Sequence, residues 1–317
     1  MQQFSKTLIA WHKQSGRSGL PWQGNRDPYA VWVSEIMLQQ TQVATVLERY
    51  PRFMKRFPTV KKLAAADVDE VLAEWAGLGY YSRARNLHAC AQQVVNQFSG
   101  KFPSDPLLLE QLKGIGRSTA GAIAAFAFHE RAPILDANVK RILARLFAVE
   151  GALQDKAVND RLWQLATDLL PTEPKNMPVY TQALMDFGAT WCTSRNPVCM
   201  SGEKKCPYLK DCQANLSGQV LSFPQKVVKA KSPEFNCDMV LIRNGNTVLL
   251  QKRPSKAIWG GLWSLPEGPW EPRVSAKSPD VKAKDLLVAA LPNEKTATLL
   301  KGSQKMIQGE QIKHVFT

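Results

Sequence analysis

The sequence predicts a mainly helical protein followed by a smaller α+β segment. Residues 5–211 repeat apolar side chains at helical spacing between short Gly- or Pro-containing breaks. After Cys212, short apolar runs and turn residues replace that pattern. Of the 317 residues, 44% are hydrophobic and 21% are charged, which excludes a disordered, collagen-like or coiled-coil chain.

The helical part divides into amphipathic segments at its Gly and Pro residues. Predicted helices cover residues 29–39, 42–57, 82–98, 138–149, 157–170 and 176–189. The apolar runs, such as residues 120–128, are too short to span a membrane. The N-terminus lacks a basic segment followed by a long apolar stretch, so we expect no signal peptide and a cytoplasmic protein.

The residue pattern of the C-terminal part predicts a linker followed by an incomplete α+β domain. Residues 213–235 are rich in Ser, Pro and Lys, which is typical of a linker. Asn244-Gly245-Asn246 separates two short apolar runs, and this pattern predicts a β-hairpin. A helix near residues 283–291 and a strand over residues 312–316 are predicted beyond it.

The charge balance indicates a polyanionic partner. Lys and Arg number 41 against 27 Asp and Glu, so the net charge is +14. Neutralising phosphates with such side chains releases counterions and favours nucleic-acid binding. A basic protein without such a partner is the alternative.

Gly114 and Gly116 lie in a Gly-rich turn, residues 112–121, between two helical segments. Glycines let backbone amides approach a phosphate, and the following helix adds its positive N-terminus. The turn therefore predicts a helix–hairpin–helix that binds the DNA backbone. An ordinary tight helical turn is the alternative.

Two carboxyl groups are candidates for chemistry. Glu35 lies among Val31, Trp32 and Ile36, and burial there would raise its pKa toward that of a general acid. A Glu on the solvent face of the helix is the alternative. Asp136 precedes an amphipathic helix, where an N-cap is the simpler interpretation.

Four of the six cysteines lie within 21 residues, at positions 192, 199, 206 and 212. A cytoplasmic chain of this size does not need disulfides, so the cluster indicates a metal site.

These segments, taken in order, resemble the MutY-type adenine DNA glycosylases of the endonuclease III superfamily. The similar segments are Leu20-Pro21-Trp22, residues 34–42, Gly77-Leu78-Gly79-Tyr80-Tyr81, residues 112–121, residues 135–141 and the cysteine cluster. The similarity covers about residues 5–212, and the later part resembles the family's MutT-like domain.

The resemblance implies a helix–hairpin–helix glycosylase fold with an iron–sulfur cluster loop. It places a six-helix barrel at about residues 21–132 and an iron–sulfur subdomain at residues 1–20 and 133–212. A linker at residues 213–235 and a partial MutT-like domain at residues 236–317 follow. The implied activity is removal of adenine mispaired with 8-oxoguanine or guanine from double-stranded DNA, by a monomer.

By the same resemblance, Glu35 protonates the adenine and ionised Asp136 stabilises the positive sugar. Asn138 helps to orient the site. Side chains expected around the extruded base are Trp22, Leu38, Ser118, Arg17 and Asp186. Side chains and glycines expected at the DNA are Gln40, Tyr80, Gly114, Gly116 and Lys140.

Ser118 distinguishes this chain from the bifunctional relatives, which have a Schiff-base lysine at the matching position. We therefore expect a monofunctional glycosylase. An oxidised-pyrimidine glycosylase/lyase and a protein that only binds mispairs are the alternatives.

Cys192, Cys199, Cys206 and Cys212 match the family's ligands to a [4Fe–4S] cluster, but the Cys199–Cys206 gap is four residues longer than usual. A zinc ion held by the same four thiolates is the alternative. The C-terminal part lacks the R-E-x-x-E-E run of the nucleotide hydrolases, so we expect no nucleotide hydrolysis. The family's 8-oxoguanine loop would begin at about residues 314–317.

Overall fold

The computed structural model describes residues 2–202, 205–225, 233–254, 259–268 and 270–272. The chain forms two compact units, residues 1–228 and residues 229–317. In these described ranges, no helix is both long enough and apolar enough to cross a membrane.

The first unit is built from helices, as the sequence predicts. They are α1 (Gln2–Ser15), α2 (Pro28–Leu38), α3 (Val43–Arg56), α4 (Val60–Ala64), α5 (Val68–Glu74), α6 (Ser82–Phe98), α7 (Pro106–Glu110), α8 (Arg117–Phe128), α9 (Ala137–Leu146), α10 (Lys156–Asp168), α11 (Met177–Thr190), α12 (Val198–Ser201) and α13 (Gln213–Leu216). Two 3-10 turns, Pro174–Asn176 and Val220–Ser222, complete the unit.

Local sequence signals explain several helix starts. Asp27 accepts a hydrogen bond from the Tyr29 N–H at the start of α2, and Pro28 occupies the first helical position. Asp105 does the same for α7 through the Leu107 N–H. These caps position the helix that contains the candidate carboxyl and the helix that precedes the Gly-rich turn.

Helix α8 lies at the centre of the unit. It packs against α2, α7 and α11, while α1 packs against α11, and α11 packs against α9. One hydrophobic core joins α1 to α8–α11 through buried side chains such as Leu8, Ile142, Leu165 and Phe187. The N-terminal end of α8, which follows the Gly-rich turn, is thereby fixed relative to α2 and α9.

The first unit extends beyond the boundary expected from sequence. Residues 213–235 are predicted to be a linker, but Ala214, Val220 and Phe223 are buried in the first unit. Arg145 also donates a hydrogen bond to the Phe223 carbonyl at 3.1 Å. Despite its polar composition, the described part of this stretch, residues 213–225, therefore packs on the first unit through three apolar side chains.

The described part of the second unit contains short antiparallel strand pairs. They are β1 (Phe235–Asn236) with β6 (Glu271–Pro272), β2 (Arg243–Asn244) with β3 (Thr247–Val248), and β4 (Gln251–Lys252) with β5 (Trp263–Ser264). The β2–β3 pair confirms the predicted hairpin. The helix and strand predicted at residues 283–291 and 312–316 lie outside the described residues.

Candidate active site and nucleic-acid interface

Glu35 lies on α2, whose other side chains are mostly buried. The residue retains some accessible surface, but surrounding protein atoms desolvate its carboxyl group. Burial raises the pKa of Glu35 from 4.5 to about 8, and the charge of Asp136 acts in the same direction as a smaller cause. At neutral pH this carboxyl therefore holds a proton that it can donate.

Asp136 caps α9 and is also the second carboxyl of the site. Its Oδ1 accepts a hydrogen bond from the Val139 N–H at 2.8 Å. Burial raises the pKa of Asp136, while the N–H groups of Val139 and Asn138 and the charge of Arg141 oppose that rise. These groups offset part of the burial effect on Asp136, and the Asp136 charge in turn adds to the raised pKa of Glu35.

The start of α8 ties together the two segments that contain the carboxyls. The Ser118 hydroxyl accepts a hydrogen bond from the Leu135 N–H at 3.0 Å, one residue before Asp136. The Gln39 amide donates to the Thr119 hydroxyl at 3.2 Å, just beyond the end of α2. The Gly-rich turn and both carboxyls therefore belong to one region of the first unit.

Asn138 is oriented by an arginine that the sequence prediction did not single out. Arg141 donates to Asn138 Oδ1 at 2.8 Å, to the Gly188 carbonyl at 2.7 Å and to the Cys192 carbonyl at 2.8 Å. Gly188 allows this close approach, because a Cβ there would lie 2.6 Å from the Asn138 Cβ. The spacing of Arg141 one turn after Asn138 is the only sequence signal for this role.

The two glycines of the hairpin serve different physical needs. Gly114 has a φ of +78°, and a Cβ there would lie 2.8 Å from the Asn86 Cβ. Gly116 has open space around it. It is the N-cap residue of α8, and no side chain caps the first amides of that helix. The first amides of α8 therefore face a position that a phosphate can approach.

Gln40 and Tyr80 are both exposed, and both adopt left-handed backbone conformations. Their φ values are +54° and +46°. Such conformations are unfavourable for residues with a side chain and persist where the surrounding structure holds them. Their predicted contact with the duplex stays a prediction.

Trp22 is buried and makes an edge contact with Tyr50, with ring centroids 5.6 Å apart. Leu38 is half-buried at the last position of α2, one turn after Glu35. A role for either residue at the extruded base stays a prediction.

Arg17 and Asp186 form an ion pair, with Nη2 and Oδ1 2.6 Å apart. His12 and Gln182 also contact the Asp186 carboxylate, at 3.0 Å each. Burial raises the pKa of Asp186, but the hydrogen bonds from His12 and Arg17 outweigh burial and leave that pKa below its usual value. These contacts join the segment after α1 to α11, and a role in the base pocket stays a prediction.

Lys140 extends its ammonium group toward α10. Its Nζ donates to Asn159 Oδ1 at 2.8 Å. An ammonium has three donors, so this bond leaves the predicted phosphate contact chemically possible. That contact stays a prediction.

The four clustered cysteines line one largely apolar cavity in the first unit. None of the four is in a disulfide. Burial raises the pKa of the Cys206 thiol to about 12, and the thiols of Cys199, Cys192 and Cys212 add to that rise. Because the surrounding thiols oppose its ionisation, Cys206 needs a positively charged partner to become a thiolate.

Despite the longer Cys199–Cys206 gap, all four cysteines line the same cavity. The first residues of the gap form α12, which ends at Gly202 in a left-handed conformation with a φ of +74°. A Cβ at Gly202 would meet open space. Within the described ranges, no three His, Cys, Asp or Glu side chains form a group that could hold one metal ion.

Both units match families of known proteins. Residues 33–167 match the HhH-GPD superfamily base excision DNA repair protein family, and residues 238–317 match the NUDIX domain. The adenine DNA glycosylase of Buchnera aphidicola subsp. Acyrthosiphon pisum is 38% identical over 264 residues, covering 83% of this chain and 74% of that protein. The adenine DNA glycosylase of Homo sapiens is 35% identical, covering 85% of this chain and 58% of that protein.

Solved structures share the fold of the helical unit. A thermostable thymine-DNA glycosylase superposes with a TM-score of 0.60 at 28% identity, covering 68% of this chain and 96% of that chain. An endonuclease III–DNA complex superposes with a TM-score of 0.56 at 22% identity, covering 68% and 97%, and shows the shared fold alone. The predicted family and fold class are confirmed: the chain belongs to the adenine DNA glycosylase family of the HhH-GPD superfamily.

Proposed function

We propose that this protein hydrolyses the N-glycosidic bond of adenine in double-stranded DNA, where adenine is mispaired with 8-oxoguanine or guanine. The observation that supports it most directly is the coupled pair of Glu35 and Asp136 beside the hairpin. Burial and the Asp136 charge raise the pKa of Glu35, and the N–H groups of Val139 and Asn138 with Arg141 offset part of the burial effect on Asp136. Membership of the adenine DNA glycosylase family supplies the substrate class.

Glu35 acts first, as the general acid. Adenine is a poor leaving group as an anion, so protonation of its N7 by Glu35 weakens the bond to C1′ of the sugar. When that bond breaks, its electron pair leaves with the base, and the sugar becomes an oxocarbenium ion. A pKa of about 8 suits this step because the proton is present at neutral pH.

Asp136 acts on the positive sugar. Its carboxylate stabilises the oxocarbenium ion electrostatically or forms a bond to C1′. Glu35, now ionised, takes a proton from a water molecule, whose oxygen bonds to C1′. The products are free adenine and an abasic site, and Glu35 is protonated again.

The adenine reaches these carboxyls by extrusion from the duplex. In this proposal the α8 amides after Gly114 and Gly116 hold the backbone, and Lys140 contacts a phosphate. Gln40 and Tyr80 fill the space left in the helix, which offsets part of the unstacking cost of a few kcal/mol. Trp22 and Leu38 line the base pocket.

Ser118 supports a monofunctional enzyme. A serine hydroxyl cannot form the imine with C1′ that a lyase reaction needs. The Ser118 oxygen also accepts the Leu135 N–H, which gives this side chain a positioning role. The alternative, a glycosylase/lyase for oxidised pyrimidines, predicts covalent trapping of the protein on such duplexes by borohydride.

The four cavity cysteines would hold one [4Fe–4S] cluster. A zinc ion needs four sulfurs at about 2.3 Å, hence close to one another, whereas a cluster accepts ligands spread around a larger volume. All four cysteines line one cavity and the family resemblance favours the cluster, so the metal content of the purified protein decides between the two. When bound, the cluster supplies positive iron centres that stabilise the thiolates and join residues 192–212 to α9.

The remaining assignments follow from the same substrate. We place the protein in the cytoplasm at the nucleoid, as a monomer. The barrel and iron–sulfur subdivision of the first unit follows the family resemblance. Recognition of 8-oxoguanine would fall to the second unit, by the same resemblance.

Single-turnover release of adenine tests the proposal. Duplexes have adenine opposite 8-oxoguanine, guanine, cytosine or thymine, and we expect release from the first two. Glu35→Gln should abolish release while duplex binding persists, because the amide cannot donate the N7 proton. Release by Glu35→Gln at the wild-type rate would refute the acid assignment, and mispair binding without release by the wild type would favour a binding-only protein.

A further inference from the structure

The side chain of Arg83, on α6, lies between two segments from distant parts of the chain. One segment is the end of α2 with the residues that follow it, and the other is the turn at residues 77–80. The guanidinium donates to the carbonyl oxygens of Ile36 (2.8 Å), Met37 (3.1 Å), Gln39, Leu78 (2.9 Å) and Gly79 (3.2 Å), and to the Thr41 hydroxyl (3.0 Å).

On the α2 side, Arg83 donates hydrogen bonds to carbonyl groups in the last turn of the helix. The last carbonyls of a helix have no partner within the helix, and a cation there is favourable. The last turn of α2 contains no basic residue, so the charge comes from α6 instead. This contact fixes the end of the helix on which Glu35 lies.

On both sides, Arg83 holds the residue that directly precedes a left-handed one. Gln39 comes before Gln40, whose φ is +54°, and Gly79 comes before Tyr80, whose φ is +46°. The Trp75 indole adds a second donor to the Gly79 carbonyl at 3.1 Å. Left-handed residues with side chains persist where neighbouring groups over-determine them, and one guanidinium does so for both.

The chemistry of these contacts requires arginine. The guanidinium lies over the rings of Trp75 and Tyr80, with distances of 5.4 and 5.5 Å to the centroids. Its planar fork directs donors at acceptors on two sides, whereas a lysine ammonium is a single point with three donors. Lysine at this position can satisfy one segment and loses the other.

We propose that Arg83 is a positioning residue that holds Gln40 and Tyr80 together in the geometry in which they enter the duplex. The inference rests on the proposed function, because it assigns the two side chains to the space vacated by the extruded adenine. Loss of Arg83 should therefore impair extrusion more than it impairs binding of the DNA backbone.

The test uses the full chain and a duplex with 2-aminopurine beside the mispaired adenine. In a Glu35→Gln background the DNA stays intact, and we expect the probe to become fluorescent as its neighbour unstacks. Adding Arg83→Lys should reduce that rise about tenfold at saturating protein, while duplex affinity changes far less. With Glu35 present, Arg83→Lys should slow adenine release about 10- to 100-fold.

Arg52→Lys is the matched control, because Arg52 is exposed and pairs with Glu74 on the surface. It should leave both signals unchanged. Thr41→Val removes one acceptor of the guanidinium and should lower the fluorescence rise in the same direction by less. This second variant decides the matter if circular dichroism shows that Arg83→Lys does not fold.

The outcomes separate this inference from the proposed function. If Arg83→Lys leaves the fluorescence rise of the Glu35→Gln protein and the release rate of the wild type unchanged, or loses affinity and fluorescence in equal proportion, the inference is overturned. If the wild type releases no adenine, the proposed function fails. A fluorescence rise that still depends on Arg83 would then support the inference alone.

Discussion

Glu35 shows how one residue acquires its chemistry from its surroundings. An isolated Glu is ionised at neutral pH, but burial and the neighbouring Asp136 charge raise this pKa to about 8. The sequence predicts burial from the apolar neighbours on α2. The contribution of Asp136 comes from a segment far along the chain.

The rate of adenine release should follow the protonation of Glu35. We expect the single-turnover rate to fall as the pH rises through 8, because the acid loses its proton there, and to fall again at acidic pH, where Asp136 becomes protonated. Release measured at saturating protein on both sides of pH 8 checks this. A rate that stays constant well above pH 8 would contradict the assignment.

The same pKa predicts a stability difference. Because folding raises the pKa from 4.5 to about 8, the folded state favours the protonated form of Glu35. The associated stability is present below pH 4.5 and is lost as the pH rises through 8. As the pH rises from 4.5 to 8, the free energy of unfolding of Glu35→Gln should increase relative to that of the wild type by up to about 1.4 kcal/mol per pH unit. Denaturant unfolding at both ends of the interval is the measurement.

At the scale of elements, the Gly-rich turn separates a folding requirement from a binding requirement. Gly114 needs its left-handed backbone and the space beside Asn86, whereas Gly116 has neither constraint. Both glycines are equivalent in the sequence motif. The structure distinguishes them because the Asn86 side chain comes from α6.

Alanine substitutions at the two positions should therefore differ. Gly114→Ala should lower the free energy of unfolding by about 1–2 kcal/mol or more, from the positive φ and the Asn86 contact. Gly116→Ala should leave unfolding nearly unchanged but weaken duplex binding about tenfold, the weight of one bond to a charged group. Equal effects of both variants on unfolding would show that the distinction is wrong.

At the scale of the whole molecule, the cysteine segment returns to the start of the chain. The Tyr208 hydroxyl donates to the Phe4 carbonyl at 3.0 Å, and Arg145 donates to the carbonyls of Thr193 and Ser194 at 2.6 and 3.1 Å. A cluster held by these cysteines would thus join α9 to both ends of the helical unit.

Purified protein should contain about four iron atoms per chain and absorb near 400 nm. Cys199→Ser should lose part of that absorbance and lower the melting temperature, since a ligand of the cluster is gone. Cys237→Ser, in the second unit, is the matched control and should change neither. One zinc per colourless chain would instead favour a zinc site held by the four cysteines.

Local signals in the sequence determined the helices, the β2–β3 hairpin and the order of motifs. Caps such as Asp27, the Asn244-Gly245 turn and helical spacing act between near neighbours, so they can be recognised from the sequence alone. The family resemblance assigns Glu35 and Asp136 to the predicted catalytic site and the four cysteines to the predicted cluster site.

Only the tertiary structure decided the partners of these residues. Arg83 and Arg141 lie on amphipathic helices where the sequence allows an arginine to face solvent, and their acceptors are carbonyls from distant segments. Only the structure likewise shows that the side chains of Ala214, Val220 and Phe223 are buried. Every residue offers a carbonyl acceptor, and desolvation depends on atoms far along the chain. The sequence therefore indicates neither which carbonyl an arginine binds nor how far a carboxyl is desolvated.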